Sequence, residues 1–214
     1  MKKVKVGLIG LGNRGGMYYD YAINHELCEV VAIVDFKLKQ QLERVGNPKI
    51  QYTFDNTDDF FAANIDLDLL VISSMDKYHY DDAKRGILHG YHLLLEKPIA
   101  CTYDQVVEIS NLAKEHNKKV VVCHVLRYTM FYKEIKRLID EGVLGEIINI
   151  NATENVAYWH QAHSYVRGNW NNDNHATPMI IAKCCHDLDL IQNYAGSKCK
   201  TVYSTGDLSF FNKE

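Results

Sequence analysis

Apolar and polar positions follow two alternating periods through the first half of the chain. Short, nearly unbroken apolar runs fall at residues 4–9, 30–34, 50–53, 68–74, 91–95 and 120–124, and each reads as a strand. The segments between them, at 17–23, 38–45, 57 onward, 79–89 and 102–117, repeat their apolar positions at helical spacing. Strands that are apolar on both faces and separated by helices predict an α/β fold, a doubly wound parallel sheet covered on both sides. Punctuation supports these bounds. Gly46-Asn47-Pro48 and Gly90 close helices, Thr57 with Asp58 and Asp59 reads as a helix start, and Thr102 with Gln105 forms a capping box.

The second half reads differently. No Pro- or Gly-rich linker intervenes, and the expected division is 1–124 and 125–214. An amphipathic helix at 132–141 and a strand at 146–153 come first. Residues 155–178 are rich in Asn, His, Tyr and Trp and read as a long irregular, functional segment. A helix over 179–194 and a final strand from about Lys200 complete the chain.

Composition narrows the function. Of 214 residues 47% are hydrophobic and the net charge is −3, a balance that gives neither a nucleic-acid nor a membrane surface. Lys2 and Lys3 precede a run that is short and glycine-broken, unlike a signal peptide, and no segment is long enough to span a bilayer. Six cysteines without a C-x-x-C pair read as reduced core thiols of a cytoplasmic protein. Cys184-Cys185-His186-Asp187 contains ligand types, but adjacent helical side chains diverge, and no metal is expected.

The candidate chemistry lies at the carboxyl ends of the strands, where open α/β sheets bind ligands. Gly10, Gly12 and Gly15 spell G-x-G-x-x-G between the first strand and helix. Gly10 permits a tight turn, Gly12 lets a pyrophosphate approach the backbone, and Gly15 lets helix and strand pack closely, while Asn13 and Arg14 open a helix whose N–H groups face an anion. Asp35 ends the second strand twenty residues later, where a carboxylate receives ribose hydroxyls and repels a 2′-phosphate, favouring NAD over NADP. Ser73, Ser74 and His79 follow the fourth strand on the same rim. Glu96-Lys97-Pro98 ends the fifth. Partial burial and a neighbouring cation both disfavour a charged amine, which suits Lys97 to exchange a proton with a substrate hydroxyl; a plain strand-end lysine before a proline turn is the alternative.

Together the glycine turn, Asp35, Ser73-Ser74 through His79, and Glu96-Lys97-Pro98 resemble the glucose–fructose oxidoreductase / inositol dehydrogenase / rhizopine-catabolism (Gfo/Idh/MocA) oxidoreductases, a resemblance continued by Leu144-Gly145-Glu146-Ile147. It implies a Rossmann domain followed by an α+β domain with an open, mostly antiparallel sheet that joins homodimers or tetramers. It also implies hydride transfer between NAD(P) and a hydroxyl carbon of a sugar or polyol. Lys97 takes the family lysine's role, Glu96 the nicotinamide ribose, and His79 a place beside the cofactor. His186 in His186-Asp187-Leu188-Asp189 matches the family's H-x-x-D and becomes an acid/base.

Two departures qualify the resemblance. Where the family carries an Asp four residues before His186 this chain has Ala182, with Lys183 beside it as a substitute. The chain also ends at Asn212-Lys213-Glu214, soon after one strand has begun, so the sheet is expected to be incomplete and its edges to need a partner chain. Further substrate contacts are drawn from His160, His163, Tyr165, Arg167, Asn169 and Trp170, which otherwise form a hydrogen-bonded loop, and from Arg127, which either binds an anionic or hydroxyl group or pairs with an acid. An NAD-dependent dehydrogenase leads; an NAD-dependent glycoside hydrolase and a non-catalytic dinucleotide-binding protein are the alternatives.

Overall fold

The computed structural model describes residues 2–168, 170–171, 176–207 and 210–211. The chain divides into two compact units, Met1–Cys123 and His124–Glu214.

In the first unit the apolar runs become β1 (Val4–Ile9), β2 (Cys28–Val34), β3 (Tyr52–Phe54), β4 (Leu69–Ile72), β5 (His92–Leu95) and β6 (Val120–Val122). They lie in the order β3-β2-β1-β4-β5-β6, with every neighbouring pair parallel. The order reverses between β1 and β4, which opens a crevice at their carboxyl ends. Between the strands run α1 (Asn13–Asn24), α2 (Leu38–Arg44), α3 (Thr57–Ala62), α4 (His79–Leu88) and α5 (Tyr103–Glu115). Two apolar clusters cover the sheet. One gathers Phe60, Phe61, Leu70, Ile72, Ile87, Leu93 and Leu95; the other gathers Val6, Leu8, Leu11, Tyr19, Ile33 and Val71. Leu70 and Val71 are consecutive and belong to opposite clusters, which is why these runs are apolar at every position rather than at alternate ones.

Local signals mostly act where expected. Thr102 accepts the Gln105 N–H and Gln105 reaches back, completing the capping box of α5. The start of α3 is shifted: Asn56, not Thr57, is the cap, and its Oδ1 accepts the Asp59 N–H at 2.8 Å. Asn reaches the third helical N–H as well as Thr does, so the register of the two was decided by the turn rather than by preference.

The second unit holds α6 (Met130–Asp140), α7 (Tyr158–Gln161), one π-turn (Ala162–Val166), α8 (Met179–Ala182) and α9 (Cys185–Ala195), which ends at Gly196 in the left-handed region (φ 61°). The single helix expected over 179–194 is broken at Lys183 and Cys184. Neither expected strand forms: residues 147–157 and 198–207 belong to no helix or ladder. Strands are stable only when a neighbour takes their hydrogen bonds. Among the described residues none does, and Ile148 is 85% exposed. The open sheet is therefore absent from the described residues of this unit. All six cysteines are free; Cys123 is buried, but Cys199 is exposed, contrary to its reading as a core thiol.

Candidate active site

The glycine turn at the end of β1 is held peptide by peptide. Gly10 has φ +85°, and a side chain there would meet the Ser73 carbonyl at 2.7 Å. A Cβ on Gly15 would lie 1.9 Å from the Gly10 carbonyl oxygen, so α1 can approach β1 only with glycine there. At Gly12 a Cβ would meet nothing within 4 Å, so the missing side chain opens onto free space. Ser73 Oγ donates to the Gly10 carbonyl at 2.8 Å, and the Leu11 N–H donates to Asp35 Oδ2 at 2.7 Å. Asp35 Oδ1 receives the Lys37 N–H at 2.8 Å. Each carboxylate oxygen keeps a further lone pair for a ribose hydroxyl. Asp35 therefore both braces the turn and marks the end of β2. Sequence reasoning missed Arg44, whose Nη2 donates to the Leu11 carbonyl and, at 3.1 Å, to the Gly12 carbonyl.

The loop after β4 is committed to protein partners. Ser74 Oγ donates to Asp82 Oδ2 at 2.9 Å, and burial pushes the Asp82 carboxyl up to about 6 against the pull of that hydroxyl and of Arg85. His79 is only 1% exposed. Its Nε2 lies 3.0 Å from the Ser74 carbonyl and its Nδ1 2.7 Å from the Pro98 carbonyl, so the ring ties the β4 rim to the turn after β5. Ser73, Ser74 and His79 thus each turn their side chains to protein partners at the carboxyl end of β4.

Glu96, 7% exposed, is held from α1. Its Oε1 accepts the Tyr18 hydroxyl at 2.6 Å and lies 3.3 Å from Arg14 Nε, and its Oε2 accepts the Lys97 N–H at 3.1 Å. Burial, reinforced by Cys123 and Glu96, raises the Tyr18 phenol well above its ordinary value, so it stays a donor. Burial likewise pushes the Cys123 thiol up to about 11. Tyr18 was not foreseen; its signal was its place one turn beyond Arg14 on the same helical face. Lys97 follows Glu96 directly, at the carboxyl end of β5, and the Lys97–Pro98 peptide is cis.

In the second unit Arg127 donates from Nε and Nη2 to the two oxygens of Asp189, both at 2.6 Å, and the charge-assisted pair raises the guanidinium pKa. Arg127, expected to contact substrate, spends this fork on the last residue of the H-x-x-D motif. His124 Nδ1 stands 4.0 Å from Asp189 Oδ2, and the His124 and His186 rings meet edge to face at 5.8 Å between centroids. Lys183 pairs with Glu154 at 2.9 Å; burial works against its charge, but the Glu154 carboxylate outweighs burial and raises the pKa. Its amine therefore faces an acid that the sequence had not singled out. Of the remaining substrate candidates, His160, Tyr165 and Trp170 bring their rings together. Trp159 and His160 stack at 5.6 Å, Tyr165 and Trp170 meet at 6.4 Å, and the Arg167 and Trp170 N–H groups bond the Ala162 and Ser164 carbonyls. His163 lies in the same π-turn, and Asn169 lies outside the described residues. Among the described residues no group of three or more His, Cys, Asp or Glu is placed to hold a metal ion, and no helix is long and apolar enough to cross a membrane.

The first unit fits a dinucleotide: open space at Gly12, N–H groups at the start of α1, and carboxylates at the ends of β2 and β5. Comparison with known proteins agrees. Residues 4–124 match the model of the oxidoreductase family, NAD-binding Rossmann fold (GFO_IDH_MocA), and residues 136–212 match its C-terminal alpha/beta domain. An uncharacterized oxidoreductase of Streptococcus pneumoniae is 22% identical over 203 residues, 95% of this chain and 53% of its own. A glycosyl hydrolase family 109 protein of Bacteroides thetaiotaomicron is 26% identical over 80% of this chain and 38% of its own. The crystal structure of scyllo-inositol dehydrogenase from Lactobacillus casei with bound NAD(H) and scyllo-inositol shares the fold, with a TM-score of 0.75 at 21% identity, covering 91% of this chain and 57% of that one. The chain spans about half the length of the first of these curated relatives. With both family domains matched across most of its length, the chain belongs to the Gfo/Idh/MocA oxidoreductases, with an NAD-binding Rossmann domain over residues 4–124.

Proposed function

We propose that the protein is an NAD-dependent dehydrogenase acting on a hydroxyl-bearing carbon of a sugar or polyol. The observation that carries this is the rim in which Glu96 is braced from the glycine-turn helix by Tyr18 and Arg14 and itself accepts the N–H of the adjoining Lys97. The scyllo-inositol found with NAD(H) in a structural relative supports the substrate class. NAD, when bound, supplies the hydride acceptor. Gly12, Asn13 and Arg14 present N–H groups to its pyrophosphate, Asp35 and Glu96 receive its ribose hydroxyls, and Ser73, Ser74 and His79 keep the surrounding loops in place. Lys97 Nζ takes the hydroxyl proton as the C–H bond gives up hydride, leaving a carbonyl. His186, the histidine of the H-x-x-D motif, is the further acid/base of this reading. Lys183, beside the Ala182 that replaces the family's aspartate, orients substrate in its stead, with Arg127 acting through Asp189. His163, Arg167 and Trp170 lie on the wall of the substrate region. The domain boundary is placed at 124/125, the assembly as a homodimer or tetramer through the second domain, and the location, from the free thiols, in the cytoplasm.

The test is NADH formation, read by absorbance, with NAD and a panel of inositols and sugars. Lys97→Ala should lower turnover by roughly 100-fold or more while leaving NAD affinity within a few-fold; a near-wild-type rate removes Lys97 from the chemistry. A hydrolase is the second reading, favoured by Ala182 in place of the aspartate and by the similarity to a glycosyl hydrolase family 109 protein. Cleavage of an aryl glycoside without net NADH would establish it instead.

A further inference from the structure

Three consecutive peptides of the glycine turn are held by side chains from outside the turn. The Gly10 carbonyl receives Ser73 Oγ, and the Leu11 N–H of that same peptide goes to Asp35. The next two carbonyls, of Leu11 and Gly12, both receive Arg44 Nη2, and the Gly12 carbonyl also takes the Gly16 N–H at 2.8 Å. A trans peptide is planar, with its N–H pointing opposite to its C=O. Holding the Leu11 carbonyl therefore sets the direction of the Gly12 N–H, and holding the Gly12 carbonyl sets that of Asn13. These are the donors at the head of α1, beside the open space at Gly12.

Arg44 is itself built in. It occupies the last turn of α2, where a cation suits the helix dipole, and its Nε donates to Gln41 Oε1 at 2.9 Å. The guanidinium lies where a Gly16 side chain would be: a Cβ there would meet Nη2 at 2.9 Å and Nη1 at 3.1 Å. A planar guanidinium holds its N–H groups in a fixed fork, so one nitrogen can serve two adjacent carbonyls with little loss of freedom.

We propose that Arg44 is a positioning residue of the dinucleotide site, which by holding the Leu11 and Gly12 carbonyls aims the Gly12 and Asn13 N–H groups at the pyrophosphate. The inference rests on the dinucleotide reading of the turn and adds a residue that neither the glycine pattern nor the acid after β2 discloses. It also gives Gly16, which lies outside the G-x-G-x-x-G pattern, the task of seating the guanidinium.

The test uses the full chain and calorimetric titration with NAD, ADP-ribose and adenosine. Arg44→Met keeps the stem and removes the donors. It should raise the Kd for NAD and ADP-ribose together, by about tenfold, since two hydrogen bonds to a charged group lose their aim. Adenosine, which has no phosphate, should bind within about twofold of wild type, and the melting temperature of the unliganded protein should stay within about 2 °C. Backbone amide spectra give the readout that a merely structural role would not move: the Gly12 and Asn13 resonances should shift on adding NAD to wild type and shift less in the variant. Gly16→Ala, which pushes on the guanidinium, should weaken NAD in the same direction by less. If Arg44→Met loses its cooperative melt, Arg44→Gln, which keeps one amide donor, carries the comparison and should fall between. NAD affinity within twofold of wild type in the folded variant, or an equal loss for adenosine, overturns the proposal. Failure of the wild-type chain to bind NAD or ADP-ribose overturns the dinucleotide reading beneath it.

Discussion

Asp82 sits in the first turn of α4, 4% exposed, with one carboxylate oxygen on the Ser74 hydroxyl and a pKa pushed from 3.8 up to about 6 by burial. A carboxyl whose pKa rises on folding destabilises the native state wherever the unfolded chain would be ionised and the folded one resists it. The stabilising term is whole below pH 3.8, falls as pH rises, and is gone above about 6. At about 1.36 kcal/mol per unit the full difference is about 3 kcal/mol. Asp82→Asn keeps an oxygen for Ser74 and never ionises. It should therefore be more stable than wild type by about 2–3 kcal/mol at pH 8, with the advantage shrinking as pH falls toward 4. Urea unfolding followed by far-UV circular dichroism at several pH values between 4 and 8 measures it, because the other titrating groups cancel between the two proteins. A difference that does not change with pH, or a variant less stable than wild type at pH 8, refutes the reasoning.

Other expectations follow from the rim. Gly15→Ala drives a methyl to within 1.9 Å of the Gly10 oxygen and should abolish NAD binding and cost several kcal/mol of stability, seen as lost NAD affinity and a lowered urea midpoint. Asp35→Ser should weaken NAD while narrowing the gap to NADP, measured as the ratio of the two Kd values; an unchanged ratio places the carboxylate away from the ribose. Tyr18→Phe leaves Glu96 with one donor fewer and should cost about 1–2 kcal/mol of stability, read by urea unfolding, whereas an unchanged midpoint removes Tyr18 from the support of Glu96.

The sheet was legible because its central strands are buried on both faces, which leaves unbroken apolar runs that no surface helix would show. The rim was legible for the related reason that Gly10, Asp35 and Glu96 each stop such a run. What escaped were the supports. Arg44 and Tyr18 reach across 33 and 78 residues to their partners, and nothing in a local pattern distinguishes an arginine that holds a carbonyl from one that faces water. His79 was placed on the rim, but only coordinates show both its ring nitrogens turned to Ser74 and Pro98. The strands expected near 146 and 200 went wrong differently. Alternation along one segment says which face a strand would bury, but a ladder needs a second segment beside it.

The helix α1 has a use that extends past packing. Its amino end opens on Gly12, and six residues later, about 9 Å along the axis, Tyr18 fastens Glu96. One rigid rod thus joins the glycine turn to the fastening point of Glu96, and their separation is set by helical rise rather than by loops. Under the proposed function that rod is a gauge: a dinucleotide of the right span meets both ends, and a mononucleotide meets only one.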